Sequence, residues 1–265
     1  MGILLSIVVP NFNSEKWIIR LLDSIKSQTY KDYEVIIIDD MSEDKSPEII
    51  KKYVEDSDFP PFYYYENSKK LWNGGSRNKG VELAVGEYVL FLDSDDFFDS
   101  DNCFQRIAEV IEENNHPDCV RLPYRVFENG RKKEPLMLDD DNPEKLVNSC
   151  FVAPWTKCVK RELFAKFPEN TLIEDVVQHI EQCDKLETVA VCDIPITVWN
   201  RDNKDSCSLP ENLHRYNSKR VSSVYRNIAD LMDLQCKHDY CENHRKWRLE
   251  CYKNIVREGK EEKIW

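Results

Sequence analysis

Four nearly continuous apolar runs mark the first hundred residues, at positions 4–10, 33–40, 62–66 and 87–93. Apolar and polar residues do not alternate along these runs, which is typical of parallel strands that are covered on both faces. Segments with apolar residues at helical spacing separate the runs. The pattern therefore predicts an α/β fold in which a mostly parallel sheet lies between helices.

Three helices are predicted between these strands. Ser14 has the side chain of an N-cap, and residues 17–25 follow it with apolar positions on one helical face. Ser46 and Pro47 begin a second helix with proline in its first turn, and residues 76–85 form the third. In a sheet of this kind, ligands bind at the carboxyl ends of the strands.

The alternation of strands and helices breaks down after residue 100. Residues 103–113 and 174–185 are predicted helices, whereas residues 119–127 and 188–199 are predicted to be extended. From residue 209 onward the pattern is helical again. We therefore expect a first half, a second half of the same domain and a helical C-terminal extension, with bounds at 1–100, 101–208 and 209–265.

Composition narrows the class of protein. The net charge of -12 argues against a general nucleic-acid binder, which carries a basic surface. No apolar run has the length of a membrane span, and the N-terminus lacks the charged lead of a signal peptide. The ten cysteines form no C-x-x-C pair, which indicates free thiols in a reducing compartment. These features together predict a cytoplasmic protein.

The C-terminal segment carries two observations with alternative interpretations. Cys236, His238, Cys241 and His244 are zinc-ligand types, but their spacing matches no common zinc module and favours ordinary helix residues. The last residues mix basic, acidic and aromatic side chains, which could contact the inner face of an anionic membrane. Their nearly balanced charge favours a solvated helix that packs on the rest of the protein.

The stretch LFLDSDD places Asp93, Asp95 and Asp96 at the end of the last apolar run. Side chains along an extended chain repeat with a period of two, so two of these carboxylates can point the same way. Hard cations such as Mg²⁺ or Mn²⁺ prefer oxygen ligands of this type. Acidic residues also favour the first turn of a helix, and this stretch alone does not distinguish the two interpretations.

Glycine is concentrated just before the acidic stretch. Four of the seven glycines lie between residues 74 and 86. A glycine-rich turn that enters a helix lets backbone N–H groups approach a phosphate, and Arg77 adds a permanently charged donor. A structural alternative is a tight turn in which Gly80 permits close packing.

Three motifs in order carry a resemblance to a known family. SIVVPNFNSE, VIIIDDMSEDKS and GGSRNKGVELAVGEYVLFLDSDD resemble the nucleotide-sugar-binding half of family 2 glycosyltransferases of GT-A fold. The resemblance implies a Rossmann-like mixed sheet flanked by helices, with the donor site in the first hundred residues and the acceptor site in the second half. Met41 departs from the family pattern, which usually has glycine at this position.

The resemblance also implies roles for the donor-side residues. Asp39 would hydrogen-bond the base, usually uracil, while Asp40 and Asp44 would support that loop. Asp95 would bind the divalent cation, Mn²⁺ or Mg²⁺, with Asp93 as a second ligand that also contacts ribose or sugar; Asp96 would assist. Further substrate contacts would come from Pro10, Asn11, Phe12, Asn13, Glu15, Arg77 and Ser94.

The second half matches the family more loosely. IEDV resembles the Glu-Asp motif that supplies the catalytic base, which would be Asp175 with Glu174 positioning it or the acceptor. APWTKCVKRELF resembles the segment beside the acceptor and assigns Trp155 and Lys157 there, although a large aromatic ring is equally at home in the core. WNRDNKDSCS resembles the family's arginine segment, in which Arg201 would contact the diphosphate or the base motif.

These assignments predict an enzyme that moves a sugar, as a hexosyltransferase would, from a UDP-linked donor to an acceptor hydroxyl with inversion. A catalytically inactive sugar-nucleotide-binding subunit is one alternative. A sugar-nucleotide pyrophosphorylase is another, but it would carry a glycine-rich signature with Arg and Lys where PNFNSE stands. The donor sugar, the acceptor, whether glycan, lipid-linked or another hydroxyl, and the oligomeric state are left open.

Overall fold

The computed structural model describes residues 2–55, 61–137, 152–169 and 174–206. Its helices are α1 (Ile18–Lys26), α2 (Ser46–Glu55), α3 (Trp72–Leu83), α4 (Cys103–Glu113) and α5 (Glu174–Cys183). Its strands are β1 (Leu5–Asn11), β2 (Tyr33–Asp39), β3 (Phe62–Glu66), β4 (Tyr88–Phe91), β5 (Phe97–Phe98), β6 (Cys119–Arg121), β7 (Tyr124–Glu128), β8 (Arg131–Lys132), β9 (Lys157–Lys160), β10 (Val189–Val191) and β11 (Thr197–Asn200).

Seven strands form the main sheet, in the order β10-β6-β9-β4-β1-β2-β3. β1 is parallel to β2 and β4, and β2 is parallel to β3. β9 runs antiparallel to both β4 and β6. The predicted mixed, mostly parallel sheet is confirmed, and strands from both halves of the chain build it.

The central strands of the main sheet are buried on both faces. Ile7 and Val9 belong to one apolar cluster, while Val8 packs in a second cluster on the other face. Burial of each such side chain stabilises the fold by about 1.5–3 kcal/mol. The apolar runs of the sequence are unbroken because both faces of these strands are buried, as predicted.

A second, four-stranded sheet lies beside the end of β4, in the order β5-β11-β7-β8. β11 is parallel to β7 and antiparallel to β5. β7 and β11 come from the segments that the sequence predicts as longer extended stretches, 119–127 and 188–199, whereas β5 and β8 are short strands outside them. Pro123 separates β6 from β7, which is consistent with its missing N–H donor.

α3 begins earlier than predicted, at Trp72 rather than at residue 76. Gly74 and Gly75 consequently lie inside the helix and not in a turn before it. A Cβ atom on Gly74 would meet the carbonyl oxygen of Pro168 at 2.7 Å, and one on Gly80 would overlap Val8 of β1. The glycines permit close packing of α3, as the structural alternative proposed for Gly80.

Two sequence predictions lie outside the described residues. They are the helical extension 209–265 and the candidate zinc ligands Cys236, His238, Cys241 and His244. Among the residues that are described, no helix has both the length and the apolar content needed to cross a membrane. The described cysteines are buried free thiols, namely Cys103, Cys119, Cys158, Cys183 and Cys192.

Candidate active site

The carboxyl ends of the central parallel strands meet at one edge of the main sheet. Asn11 at the end of β1 pairs in register with Asp39 at the end of β2. On the other side of β1, Val8 pairs with Phe91, so the acidic stretch leaves the sheet at the same edge. β9 begins there with Lys157, because Leu90 pairs with the residue that follows it. The strand ends that carry Asn11, Asp39 and the acidic stretch are thereby gathered at this edge, with Lys157 of the second half beside them.

Asp39 binds the ends of two strands together. Its Oδ1 accepts hydrogen bonds from Asn11 Nδ2 at 2.7 Å and from Ser42 Oγ at 2.6 Å, and its Oδ2 accepts one from Ser42 N at 3.0 Å. The side chain is buried, as is the neighbouring Pro10. The carboxylate therefore shapes the β2 turn, and its predicted bond to a base stays a prediction.

Asp40 occupies the N-terminus of α3. Its carboxylate accepts hydrogen bonds from Leu71 N and Trp72 N, both at 2.7 Å, and from Asn67 Nδ2 at 3.0 Å. An anion at this place is stabilised by the helix dipole and by the free N–H groups. The first N–H groups at the N-terminus of α3 therefore bind the protein's own carboxylate.

The loops after β1 and β2 are joined by reciprocal bonds between backbone and side chains. Asp44 accepts hydrogen bonds from Glu15 N and Ser46 N, both at 2.9 Å. Asn13 Oδ1 accepts one from Glu43 N at 2.8 Å. These contacts match the supporting role predicted for Asp44 and hold Asn13 and Glu15 at the rim of the site.

Met41 has a φ of 62°, in the left-handed region that favours glycine. This geometry explains why a glycine is usual at this place in the resembling family. Phe12 is exposed on the neighbouring loop, with Lys70 Nζ 2.9 Å from its ring centroid. A flat apolar surface next to a cation is thus present at the end of β1.

The three aspartates of the acidic stretch have three different environments. Asp93 Oδ1 pairs with Arg77 at 2.6 Å, and Asp95 Oδ2 accepts a hydrogen bond from Asn203 Nδ2 at 2.7 Å. Asp96 is 1% exposed, and its Oδ1 accepts a bond from the backbone N of Asn200 at 2.7 Å. Asp96 therefore fastens the acidic loop to β11, whereas Asp93, Ser94 and Asp95 remain partly exposed.

The pKa values of Asp95 and Asp96 are both raised, chiefly by burial. Burial raises the pKa of Asp95 to about 6, and although the Asn203 bond opposes this shift, the charge of Asp93 adds to it. Burial also raises the pKa of Asp96 well above its usual range, with Asp95 and Asp93 contributing. A cation bound at this loop would relieve the accumulated negative charge.

The oxygen atoms of this loop fit a hard divalent cation. Asp95 and Asp93 could supply one or two carboxylate ligands, and Mg²⁺ commonly takes the rest from water and substrate phosphates. Across the described parts of the chain, no cluster of three or more His, Cys, Asp or Glu side chains forms a complete metal cage.

Arg77 joins the acidic loop to the predicted catalytic motif. It pairs with Asp93 through NH2 at 2.6 Å and with Glu174 through NH1 at 3.0 Å, while its own side chain is only 4% exposed. Burial lowers the pKa of Arg77, but the charges of Asp93 and Glu174 outweigh it and raise the pKa overall. Glu174 and Asp175 stand in the first turn of α5, so Arg77 holds that turn beside the acidic loop.

The other acceptor-side predictions are placed differently. Trp155 is 3% exposed and packs edge-on against Tyr124, with 5.0 Å between the ring centroids. Its ring is therefore part of the core, as one of the two interpretations of the sequence proposed. Lys157 is equally buried, and its Nζ donates to the carbonyl oxygens of Val152 and Ala153. Arg201 is exposed and lies 5.2 Å from the Trp199 ring centroid, so it is the one of these three that a substrate can reach.

Two residues that the sequence analysis did not assign contact the acidic loop. Asn203 hydrogen-bonds the carboxylate of Asp95, and Arg20 NH2 donates to the backbone oxygen of Asp95 at 3.0 Å. Asn203 lies in the arginine segment that resembles the family, so its position in that segment could have marked it as a candidate. Arg20 lies in a helix that matches no motif, so only the structure reveals its contact with Asp95.

The chain belongs to glycosyl transferase family 2, whose family model matches residues 6–168. It is 35% identical over 186 residues to the putative glycosyltransferase EpsH of Bacillus subtilis, covering 66% of this chain and 52% of EpsH. It is 34% identical over 147 residues to the poly(ribitol-phosphate) beta-N-acetylglucosaminyltransferase TarS of Staphylococcus aureus, covering 54% of this chain and 25% of TarS. The chain thus spans about half of EpsH and a quarter of TarS.

Solved structures show the same architecture. The crystal structure of S. aureus TarS 1-349 in complex with UDP-GlcNAc has a TM-score of 0.66 and 27% sequence identity, over 75% of this chain and 58% of that one. The mannosyltransferase PcManGT from Pyrobaculum calidifontis, in complex with GDP-Man and Mn²⁺, has a TM-score of 0.62 and covers 88% of this chain and 65% of that one. At 16% identity the second comparison supports the fold alone. The predicted GT-A fold is confirmed.

Proposed function

We propose that this protein transfers a sugar from a UDP-linked donor to an acceptor hydroxyl, with inversion and with the help of a divalent cation. The observation that carries the proposal is the bridge from Asp93 through Arg77 to Glu174. It brings the donor motif and the acceptor motif together, although Arg77 and Glu174 are 97 positions apart in the chain. The TarS complex with UDP-GlcNAc supports a uridine diphosphate donor.

Asp175 is the proposed general base. A carboxylate that accepts the proton of the attacking hydroxyl contributes about 10²–10⁴-fold to a reaction of this kind. Arg77 holds Glu174 in the first turn of α5, and Asp175 is the next residue of the same turn. With the base opposite the departing diphosphate, displacement is in line and inverts the anomeric carbon.

Asp95, with Asp93 as a second ligand, is proposed to hold Mn²⁺ or Mg²⁺. A bound cation of this kind supplies Lewis-acid stabilisation of the negative charge on the leaving diphosphate. Asn203 orients the Asp95 carboxylate, and Arg201 offers an exposed positive charge near the same loop. Phe12 and the Asn11–Asp39 pair lie at the ends of β1 and β2, where the base would bind.

The chain division is proposed on the same grounds. Residues 1–100 would bind the donor, residues 101–208 would bind the acceptor, and residues 209–265 would form a helical C-terminal extension. The acceptor is a hydroxyl on a glycan, a lipid-linked molecule or another carrier, and contact with a membrane surface belongs to that choice.

Asp175→Asn tests the assignment of the base. Hydrolysis of UDP-sugars and transfer to candidate hydroxyl acceptors would be measured with Mn²⁺, together with UDP binding by thermal shift. We expect Asp175→Asn to lose turnover while UDP binding is retained, and Glu181→Gln, an exposed carboxylate on the same helix, to behave as wild type. Normal turnover by Asp175→Asn would sink the base assignment.

The same assay distinguishes the alternative functions. A wild-type protein that binds UDP-sugars without hydrolysing or transferring them would support an inactive binding subunit. Release of a nucleoside triphosphate from UDP-sugar and pyrophosphate would instead identify a pyrophosphorylase. A thermal shift that requires both UDP and Mn²⁺, with turnover, supports the proposed transferase.

A further inference from the structure

One polar stripe of α1 lies along the segment that follows the acidic motif. Arg20, Ser24 and Gln28 are spaced by four positions, so they lie on one side of the helix and its continuation. Arg20 donates to Asp95 O, Ser24 Oγ accepts from Phe98 N at 3.1 Å, and Gln28 bonds Ser100 O at 2.7 Å and Phe104 N at 3.0 Å. The stripe thus follows the chain from the acidic loop through β5 to the start of α4.

Arg20 is the end of this stripe that reaches the acidic loop. Its guanidinium carbon lies 4.2 Å from the Phe97 ring centroid, 5.1 Å from that of Phe127 and 5.5 Å from that of Trp17. Rings around an arginine attract its charge and restrict its rotamers. A planar guanidinium held in this way can fix the direction of the hydrogen bond that it donates.

Asp95 is consequently held at two points. Arg20 fixes its backbone oxygen from α1, and Asn203 fixes its carboxylate from the segment after β11. The charge of Arg20 also faces Asp96, Asp95 and Asp202, which favours a compact loop in spite of the crowded carboxylates. No motif of the family resemblance includes this contact.

We propose that Arg20 is a positioning residue for the acidic loop and sets the place from which Asp95 presents its carboxylate to a metal-bound diphosphate. This inference rests on the proposed function for its metal, but the brace itself concerns this chain alone. The effect on the acidic loop should decrease along the stripe, because Arg20 contacts Asp95 directly whereas Gln28 contacts residues beyond β5.

The test compares Arg20→Gln and Arg20→Lys with Gln28→Ala in the full chain. Calorimetry would measure UDP binding with and without Mn²⁺, and amide hydrogen exchange would report on residues 93–98. We expect both Arg20 variants to weaken Mn²⁺-dependent UDP binding about tenfold, as loss of an outer-shell partner does, with faster exchange in the loop and metal-free UDP binding unchanged. Gln28→Ala should lower the melting temperature and leave the Mn²⁺ dependence as in wild type.

Three results have distinct meanings. Wild-type Mn²⁺ dependence and loop exchange in Arg20→Gln would overturn the inference. Equal loss of Mn²⁺ dependence in Gln28→Ala would also overturn it, because the effect would then be general destabilisation of the segment. If wild type shows no Mn²⁺-dependent UDP binding, the proposed function fails, and the exchange of residues 93–98 in Arg20→Lys, which keeps the charge, still decides whether Arg20 braces the loop.

Discussion

The β2 carboxylates, Asp39 and Asp40, and the two partly exposed β4 carboxylates, Asp93 and Asp95, lie at the same edge of the sheet but are bound differently. Asp39 and Asp40 are buried, and both accept hydrogen bonds from backbone N–H groups. Asp93 and Asp95 are partly exposed, and their carboxylates are held by the side chains of Arg77 and Asn203.

This difference indicates which carboxylates maintain the structure of the site and which are available to a ligand. A backbone donor is fixed in place by the local structure, whereas a side-chain donor can also turn away by changing rotamer. The β2 carboxylates therefore fix the shape of the site, and the β4 carboxylates can exchange a protein partner for a ligand. The following predictions test that division, beginning with the largest effect.

Asp95→Ala should have the largest effect on catalysis. It removes the proposed metal ligand, and we expect transfer to fall at least about 10³-fold, as when a major electrostatic contact to a leaving group is lost. UDP binding in the presence of Mn²⁺ should weaken as well, in a calorimetric titration. Asp101→Ala, at an exposed position in the next loop, is the matched control. Retained Mn²⁺-dependent binding by Asp95→Ala would remove Asp95 from the metal site.

Arg77→Lys should break the bridge between the two motifs. An ammonium group cannot reach Asp93 and Glu174 with the fixed fork of a guanidinium, and displacement of a catalytic group by about 1 Å can cost about 10²-fold. We expect kcat for UDP-sugar hydrolysis to fall by that order with a smaller change in KM. Arg106→Lys, which alters a partly buried arginine that is paired with Asp193 and Glu113 outside the site, should leave kcat unchanged. A larger effect on KM than on kcat would instead indicate direct donor contact.

Asp40→Asn should act on stability rather than on metal use. Asparagine keeps the shape but has only one accepting oxygen, so one of the N–H groups at Leu71 and Trp72 loses its partner. We expect the free energy of unfolding to fall by about 1–3 kcal/mol in urea titrations. The folded variant should bind UDP with the same Mn²⁺ dependence as wild type. Loss of that dependence without loss of stability would contradict the scaffold role.

The fold could be predicted from the sequence because the burial of each strand is visible in its own run of apolar residues. The apolar runs of β1 and β2 are buried on both faces, so each residue carries the signal by itself. The sequence left open whether the glycines before the acidic motif serve a phosphate or close packing, and the structure shows α3 in close contact with Val8 and Pro168 at these positions. Such contacts join residues distant in the chain, and a single sequence does not encode them in its periodicity.

The site shows the same limit. The family resemblance pointed to Asp93, Glu174 and Arg77 separately, but not to the bridge that connects them. It also assigned Trp155 and Lys157 to the acceptor, whereas the structure buries both. Residue type and motif position indicate which side chains are near a site, and only packing decides which of them face it.

The pH dependence of Mn²⁺-dependent binding should show the smallest effect, and it tests Asp95 most directly. A raised pKa of about 6 means that Asp95 is protonated below this pH and a free carboxylate above it. Mn²⁺-dependent binding should therefore be constant above pH 6 and fall about tenfold per pH unit below it, since one pKa unit is 1.36 kcal/mol. The ligand should be an intact UDP-sugar, because the terminal phosphate of UDP itself titrates near pH 6. Asp95→Asn should remove the step, and a step that persists there would assign the titration to another group.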